Sequence, residues 1–509
     1  MVGFDLDMTL IDSRPGIRAT YEALVAERGL DIDVDLVVSR LGPPLETELA
    51  HWVPADQVAT LASRYRQLYP LLGVADVRPL PGAVAALEHV RALGGRTVVV
   101  TAKSRSGALA HLESLGLPVD ALESERWHTE KAAALLAHGA TVMVGDHVAD
   151  MAGALAAGVV AVGVTTGSST AAELTAAGAT VVLASLEELP AWLDEHVLNL
   201  REQVLLDLLR AAGSVLVAFS GGADSALVLA AAVRALGTDR VAAATGVSDS
   251  LAADELAGAL AVCDELGVRL LTPQTHEMER AGYRANGGDR CSFCKAELLD
   301  VLTAVAADLG LASVATGTNA DDVSAGFRPG IRAAAERGAV TPLADAGLTK
   351  AQVRELSRRW GLRTWDKPAA ACLSSRIAYG VEVTPPRLAR VERAEAGVRA
   401  ALRAAGLRTA DLRVRDLGDR ASVELDGGLV DRAATLSGLL DAVRTAGFAA
   451  VDVDPRGFRS GSMNERLPDA APAAASGTWH GMAAARSAAP AYPVPPVPSA
   501  GALNVREKR

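Results

Sequence analysis

One segment constrains the fold more than any other. The apolar run Val215-Leu216-Val217-Ala218-Phe219 stops at Ser220-Gly221-Gly222-Ala223-Asp224-Ser225, and a helical pattern follows over residues 226–236. Adjacent glycines let backbone approach an anion closely. Serine hydroxyls and the free N–H groups at the start of the next helix can then donate to it. No Gly-Lys-Ser/Thr follows, so this is a phosphate loop of a different kind from the Walker pattern.

The same strand–helix alternation runs on both sides of this loop. Ahead of it, Arg96-Thr97-Val98-Val99-Val100, Thr141-Val142-Met143-Val144 and Val159-Val160-Ala161-Val162 alternate with helical patterns. After it come Val241-Ala242-Ala243-Ala244, Arg269-Leu270-Leu271 and Ala312-Ser313-Val314-Ala315. Strands that alternate with helices predict parallel sheets covered on both faces. The expected fold class is therefore α/β, with two Rossmann-like parallel-sheet domains. The first spans 1–195, interrupted by a helical cap over about 14–80. The second, at 205–384, follows a helix over 198–211. A small α+β domain is expected over 385–467, for substrate binding or oligomerisation. The Ala/Pro-rich stretch 468–509 cannot bury enough apolar surface to offset its ordering entropy, and reads as a disordered tail. A length of 509 residues fits this multi-domain division.

Charge and composition narrow the partners. A net charge of −11 and 4% aromatics argue against a nucleic-acid partner, which needs clustered cations or base-stacking rings. The start, Met1-Val2-Gly3-Phe4-Asp5, has neither a basic nor an apolar leader region. The longest uncharged run, 151–172, is rich in Gly, Ser and Thr and reads as strand and loop, so no membrane span is expected. Four cysteines are too few for a disulfide scaffold. A cytoplasmic location and a homo-oligomer are the expectations.

Three of those cysteines lie in two short motifs, Asp289-Arg290-Cys291-Ser292-Phe293-Cys294-Lys295 and Asp366-Lys367-Pro368-Ala369-Ala370-Ala371-Cys372-Leu373-Ser374-Ser375-Arg376. Cys-x-x-Cys puts two thiols on one side of a turn, which suits a metal or cluster. A third thiol from a distant loop would complete a three-thiolate site. Zinc fits less well, because it favours four ligands and no histidine is near either motif. Cys263 sits in an apolar helical pattern and reads as a core residue.

The loop at 220–225 resembles the PP-loop family of ATP pyrophosphatases, which cleave ATP between its α- and β-phosphates. The wider set of motifs is more specific. Gly317-Thr318-Asn319-Ala320-Asp321-Asp322, Phe327-Arg328-Pro329-Gly330, Pro342-Leu343, Leu348-Thr349-Lys350, the segment 367–376, and Gly457-Phe458-Arg459-Ser460-Gly461-Ser462-Met463-Asn464 resemble the LarE family over about 205–467. That family makes pyridinium-3,5-bisthiocarboxylic acid mononucleotide for the nickel-pincer cofactor. The resemblance implies adenylation of a mononucleotide's carboxylates by ATP and displacement of AMP by sulfur. It assigns Ser220, Gly221, Gly222, Asp224 and Ser225 to ATP and its magnesium, with Ser248 and Asp321 near the nucleotide. Arg413, Arg415 and Arg459 would hold the substrate phosphate, where guanidinium forks suit the geometry. Cys372 aligns with the family's sacrificial cysteine. Other members hold a [4Fe-4S] cluster on three cysteines, and the presence of Cys291 and Cys294 beside Cys372 points to that type.

At the N-terminus, Asp5-Leu6-Asp7 ends an apolar strand, Thr101 ends 98–100, Lys131 opens a helix, and Gly145-Asp146-His147-Val148-Ala149-Asp150 follows 141–144. Two carboxylates at i and i+2 suit a nucleophile and a general acid/base. This order resembles the haloacid dehalogenase (HAD) phosphatases of the phosphoglycolate-phosphatase-like branch. The resemblance makes Asp5 the nucleophile and Asp7 the proton donor. Thr101 and Lys131 neutralise the phosphoryl group. Mg²⁺ is held by Asp5, Asp146 and Asp150, with Asp7 in the same acidic set. A phosphorylated metabolite is the expected substrate. Competing readings are a tRNA thiolase, which would want a basic RNA-binding extension, an ammonia-adding synthetase of amidotransferase type, which would not need the three cysteines, and an iron–sulfur carrier or redox sensor with ATP only as a ligand.

Overall fold

A computed structural model describes residues 1–324, 329–368, 371–459 and 462–463. Phe327, Arg328, Ala369, Ala370, Ser460, Gly461, Asn464 and the tail from 468 lie outside the described residues. Contacts divide the described residues into two compact units, 1–196 and those from Val197 to Met463.

The first unit is built on a six-stranded sheet. Its order is Ala121–Glu123, Thr97–Val100, Val2–Phe4, Val142–Gly145, Val160–Val164, Val181–Leu183, and every neighbouring pair is parallel. Successive side chains on a strand face opposite layers. Val99 accordingly enters a core with Phe4, Leu87, Val144 and Val162, while Val98 and Val100 enter another with Leu135, Met143 and Met151. Both faces are buried, as a parallel sheet requires. The expected interruption is helical: Arg14–Arg28, Val34–Ser39, Leu45–Leu49 and Ala55–Leu72 pack around Tyr21, Leu24, Leu61, Tyr65 and Tyr69. The short antiparallel pair Ile11–Asp12 and Arg78–Pro79 joins this cap to the sheet.

The second unit carries a four-stranded parallel sheet, ordered Leu270–Leu271, Val241–Ala244, Val215–Ala218, Ser313–Ala315. Val215 and Val217 face one core, with Leu227, Ala231 and Leu356. Leu216 faces the other, with Leu299 and Leu302. The helix Ala223–Leu236 starts inside the Ser-Gly-Gly-x-Asp-Ser motif, three residues earlier than its apolar periodicity indicated. Further on, Leu412–Asp416 pairs antiparallel with Arg420–Leu425, which pairs parallel with Ala450–Val453. The helices Pro385–Ala404 and Ser437–Thr445 supply core residues against this sheet.

The helix expected over 198–211 runs from Leu189 to Ala212. Leu189 and Leu193 belong to the first unit's core, and Leu198, Leu205 and Leu209 to the second's. Among the described residues, no helix is long and apolar enough to cross a membrane.

Candidate active sites

In the first unit, adjacent parallel strands deliver the acidic groups. Val2–Phe4 ends at Asp5, whose N–H donates to the Val144 carbonyl at 2.9 Å. The chain then turns tightly, with Leu10 and Ile11 N–H both donating to the Leu6 carbonyl. Val142–Gly145 ends at Asp146, and Asp150 lies in the first turn of Val148–Ala157, accepting the His147 N–H at 3.0 Å. Ligand oxygens of Asp5, Asp146 and Asp150 lie within 4.8 Å of one another, and all three residues are buried. Lys131 opens Lys131–Ala137 and is buried, with Nζ 2.6 Å from Asp5 Oδ1 and 2.5 Å from Asp150 Oδ1. Thr9 donates to Asp146 at 2.7 Å. A Cβ on Gly167 would stand 1.7 Å from Asp146 Oδ2, so this loop closes on the site only with glycine there.

Burial pushes the Asp5 carboxyl up to about 7, with Lys131 opposing it and Asp150 and Asp7 adding to it. Burial also raises Asp146 well above the usual range, reinforced by Asp150 and Asp5. Three crowded, buried oxygen donors of this kind fit a hard divalent cation such as Mg²⁺. Asp7 is set apart. Burial pushes it up, but Lys103 Nζ at 2.7 Å overrides this and holds the carboxyl below its ordinary value. Thr101 is buried at the end of Thr97–Val100, and its Oγ1 accepts the Lys103 N–H at 3.2 Å.

Sequence reasoning missed Lys103, although it lies only two residues beyond Thr101. It also missed Tyr69 of the cap, whose ring lies 4.5 Å from Lys103 Nζ and whose hydroxyl is 2.9 Å from His111 Nε2. Asp5, Asp7, Thr101, Lys103, Arg40 and Tyr69 line a cavity of about 150 Å³.

In the second unit, Ser220 to Ser225 wrap around the end of Val215–Ala218. Ser225 Oγ donates to the Gly222 carbonyl at 3.1 Å, accepts the Ser220 N–H at 3.3 Å and lies 3.1 Å from Ser220 Oγ. Asp224 receives Lys350 Nζ at 2.5 Å and Asn319 Nδ2 at 3.2 Å. Lys367 Nζ donates to the Gly221 carbonyl at 3.0 Å and to Glu255 at 2.8 Å. Asp321 accepts the Lys350 N–H at 2.8 Å. A cavity of about 250 Å³ opens here, lined by Ser220, Asp224, Ser225, Thr318, Asp322 and Lys295. Ser248 donates to the buried Glu277 at 2.5 Å.

Lys295 belongs to Arg290–Asp308, the helix that also carries Cys291 and Cys294. The Cys-x-x-Cys pair was expected on a turn. It stands instead in the first helical turn, where i and i+3 share a face. Cys291 and Cys372 are exposed and Cys294 is half-buried. Burial pushes the Cys294 thiol up to about 12, and Cys372, Glu277 and Cys291 add to it. Cys372 is thus a neighbour of Cys294, although the three sulfurs do not all lie within 4.8 Å of one another. A single tetrahedral ion needs sulfurs about 3.8 Å apart, from metal–sulfur bonds of about 2.3 Å. A cluster spreads its thiolates over separate irons, so three soft donors with no histidine fit an iron–sulfur centre better than zinc. Cys263 is buried in Ala253–Leu266.

Arg413 and Arg415 lie on Leu412–Asp416, and both are buried. Arg415 is held by Glu424 at 2.7 Å and Ser462 at 3.0 Å. Burial lowers the Arg413 guanidinium's pKa, and the nearby cations Arg376 and Arg415 lower it further. Arg459 follows the third strand of this sheet.

Residues 2–164 match the family of haloacid dehalogenase-like hydrolases, and 197–375 match NAD synthase. An uncharacterized protein of Synechocystis is 41% identical over 255 residues, covering 50% of this chain and 92% of that protein. The pyridinium-3,5-bisthiocarboxylic acid mononucleotide synthase of Lactiplantibacillus plantarum is 33% identical over 271 residues, covering 53% of this chain and 96% of that protein. A solved haloacid dehalogenase-like hydrolase from Streptococcus pneumoniae, at 24% identity, covers 38% of this chain and 97% of its own, with a TM-score of 0.35.

Proposed function

Because the chain belongs, over its C-terminal half, to the family of the pyridinium-3,5-bisthiocarboxylic acid mononucleotide synthase and carries a haloacid dehalogenase-like hydrolase domain ahead of it, we propose that it is a bifunctional enzyme: an ATP-dependent sulfur transferase of cofactor biosynthesis fused to a Mg²⁺-dependent phosphatase. The substrate of the first activity is the pyridinium-3,5-biscarboxylic acid mononucleotide. Its carboxylates are poor acceptors of sulfur because oxide leaves badly. ATP turns each into an acyl-adenylate, and sulfur then displaces AMP. Ser220, Ser225 and the helix start at Ala223 receive the departing pyrophosphate. Lys350 and Lys367 flank it, and Asp224, Ser225 and Asp321 serve ATP and its magnesium. Arg413, Arg415 and Arg459 hold the substrate's phosphate.

The observation that supports the sulfur source is that Cys294, on Arg290–Asp308, packs against the core that holds Leu373, the residue after Cys372. Cys291, Cys294 and Cys372 would hold a [4Fe-4S] cluster, which when bound supplies a replaceable sulfide. Sacrifice of Cys372 alone is the second reading, supported by its exposure. Anaerobic purification with iron and acid-labile sulfide quantification separates the two. Iron-free protein that remains active and loses the mass of H₂S from Cys372 after one turnover would overturn the cluster.

In the phosphatase, Asp5 attacks phosphorus, Asp7 hands a proton to the leaving oxygen, and Thr101 and Lys131 hold the phosphoryl oxygens. Asp5, Asp146 and Asp150 would bind Mg²⁺, which offsets charge on the transferring group. A phosphorylated metabolite of the same pathway is the proposed substrate. Turnover of a phosphometabolite panel by the purified chain tests this, and activity on an unrelated sugar phosphate alone would refute the shared pathway.

A further inference from the structure

Three side chains from residues 283–290 reach across to the loop that carries Cys372. Tyr283 Oη lies 2.5 Å from Ser374 Oγ. Asn286 Nδ2 donates to the carbonyls of Ala378 and Val381, each at 2.8 Å. Arg290 Nη1 donates to the Ser374 carbonyl at 2.9 Å and also to Asn286 Oδ1. All three residues are buried, with exposures of 1%, 0% and 5%. A buried guanidinium is costly to keep unless its donors are satisfied, and this one meets the Ser374 carbonyl, the Asn286 side-chain amide oxygen and the ring of Tyr379, whose centroid is 5.8 Å from Cζ.

The positions joined are informative. Arg290 immediately precedes Cys291 and opens the helix that carries both cysteines. Ser374 stands two residues beyond Cys372. Within the same loop, Arg376 donates back to the Cys372 carbonyl at 2.9 Å while held by Glu395 at 2.9 Å. Cys294 itself packs among the residues that include Tyr283 and Leu373.

Resting on the cysteine-dependent sulfur transfer proposed above, we infer that Arg290 is a positioning residue that clamps the Cys-x-x-Cys helix to the Cys372 loop, with Tyr283 and Asn286 completing the clamp, so that the three thiols face one common ligand. One guanidinium nitrogen, Nη1, donates to both oxygens, and the rigid guanidinium plane fixes the directions of its two N–H bonds. A lysine ammonium, a point charge on a flexible stem, does so less well. Groups that orient metal ligands without touching the metal typically control affinity by about 10–100-fold.

The test uses the full chain, reconstituted anaerobically with ferrous iron and sulfide. Arg290→Met is expected to weaken iron retention against a chelator by about 10–100-fold, Arg290→Lys to recover part of the loss, and Tyr283→Phe to give a smaller loss in the same direction. A second readout needs no iron. In the iron-free chain, a short bifunctional thiol reagent should crosslink Cys294 to Cys372, and Arg290→Met should slow this about tenfold. Arg290→Met that melts cooperatively, crosslinks and binds iron like the parent chain overturns the clamp. A parent chain that crosslinks readily but binds no iron overturns the cluster, while the crosslinking rates still decide the clamp. If Arg290→Met does not fold, parent-like crosslinking in both Arg290→Lys and Tyr283→Phe overturns it.

Discussion

Asp5 and Asp7 stand two residues apart, yet their surroundings pull their protonation in opposite directions. Asp5 is crowded by Asp146 and Asp150, whereas Asp7 is paired with Lys103. These surroundings favour the protonated form of Asp5 and the ionised form of Asp7, whereas the proposed nucleophile must be ionised, which a divalent cation on Asp5, Asp146 and Asp150 would favour, and the proposed proton donor must take up a proton before it gives one. Asp5→Asn is expected to lower phosphatase turnover by at least about 1,000-fold while leaving adenylation of the mononucleotide intact; parallel assays of both activities check this. Gly167→Ala should act less directly. Its Cβ would displace the Asp146 carboxylate, weakening Mg²⁺ by about 10–100-fold, read from the Mg²⁺ dependence of turnover. At this scale the sequence singled out candidates by residue type and spacing, and the fold brings Asp5, Lys131, Asp146 and Asp150 together. The sequence did not reveal Lys103 as the partner of Asp7, because that pair spans 96 residues of chain and depends on how the loop after Thr101 folds back.

Two elements deserve comparison because each meets its site through a contact between segments distant in sequence. The cap helix Ala55–Leu72 reaches the Asp7–Lys103 pair through Tyr69, whose ring lies 4.5 Å from Lys103 Nζ and whose hydroxyl bonds His111 on the helix Arg105–Ser114. Burial lowers His111 from 6.5 to about 4, with Lys103 adding and Asp7 opposing. The folded state therefore binds fewer protons than the unfolded chain between these values. Stability from neutral His111 is complete above pH 6.5 and is lost as pH falls toward 4, with a slope of up to about 1.4 kcal/mol per pH unit. His111→Gln should flatten that part of the stability profile, measured by denaturant melts at several pH values. In the second unit, the turn after Ser313–Ala315 passes so close to the phosphate loop that a Cβ on Gly317 would lie 2.8 Å from the Ser225 backbone nitrogen. Backbone cannot yield as a side-chain tip can. Gly317→Ala should cost about 100-fold in pyrophosphate release, with the sheet still folded by circular dichroism. The helix and strand types were legible here from apolar periodicity, but helix starts were not. Ala223–Leu236 begins within a loop whose polar residues mask the pattern, and the Cys-x-x-Cys pair lies in the first turn of Arg290–Asp308, where its polar neighbours likewise hide the apolar period.

At the scale of the whole chain, two parallel sheets have separate cores, and one helix supplies Leu189 and Leu193 to the first and Leu198, Leu205 and Leu209 to the second. Two sites with unlike ligands should therefore stabilise two different transitions. Mg²⁺ at about 100 times its Kd adds about 2.7 kcal/mol to the unit that binds it. That is roughly 5–10 °C for a unit of this size. ATP should shift the other transition and leave the first in place, and calorimetry with each ligand alone checks this. The sequence by itself determined the α/β class and the two strand–loop–helix sites, because each depends on local periodicity or on residue types at short spacing, whereas sulfur transfer was read from the resemblance of its longer motifs to a known family. Only the tertiary structure decided which partners meet: Lys131 between Asp5 and Asp150, Lys350 on Asp224, and Arg290 across to the Ser374 carbonyl. These are long-range pairings, set by which strand ends come to lie side by side, and nothing local in the chain encodes them. The loop at 220–225 shows both halves. Its glycines and serines announced a phosphate site, but the lysines that flank it come from 350 and 367, and only the folded sheet brings them there.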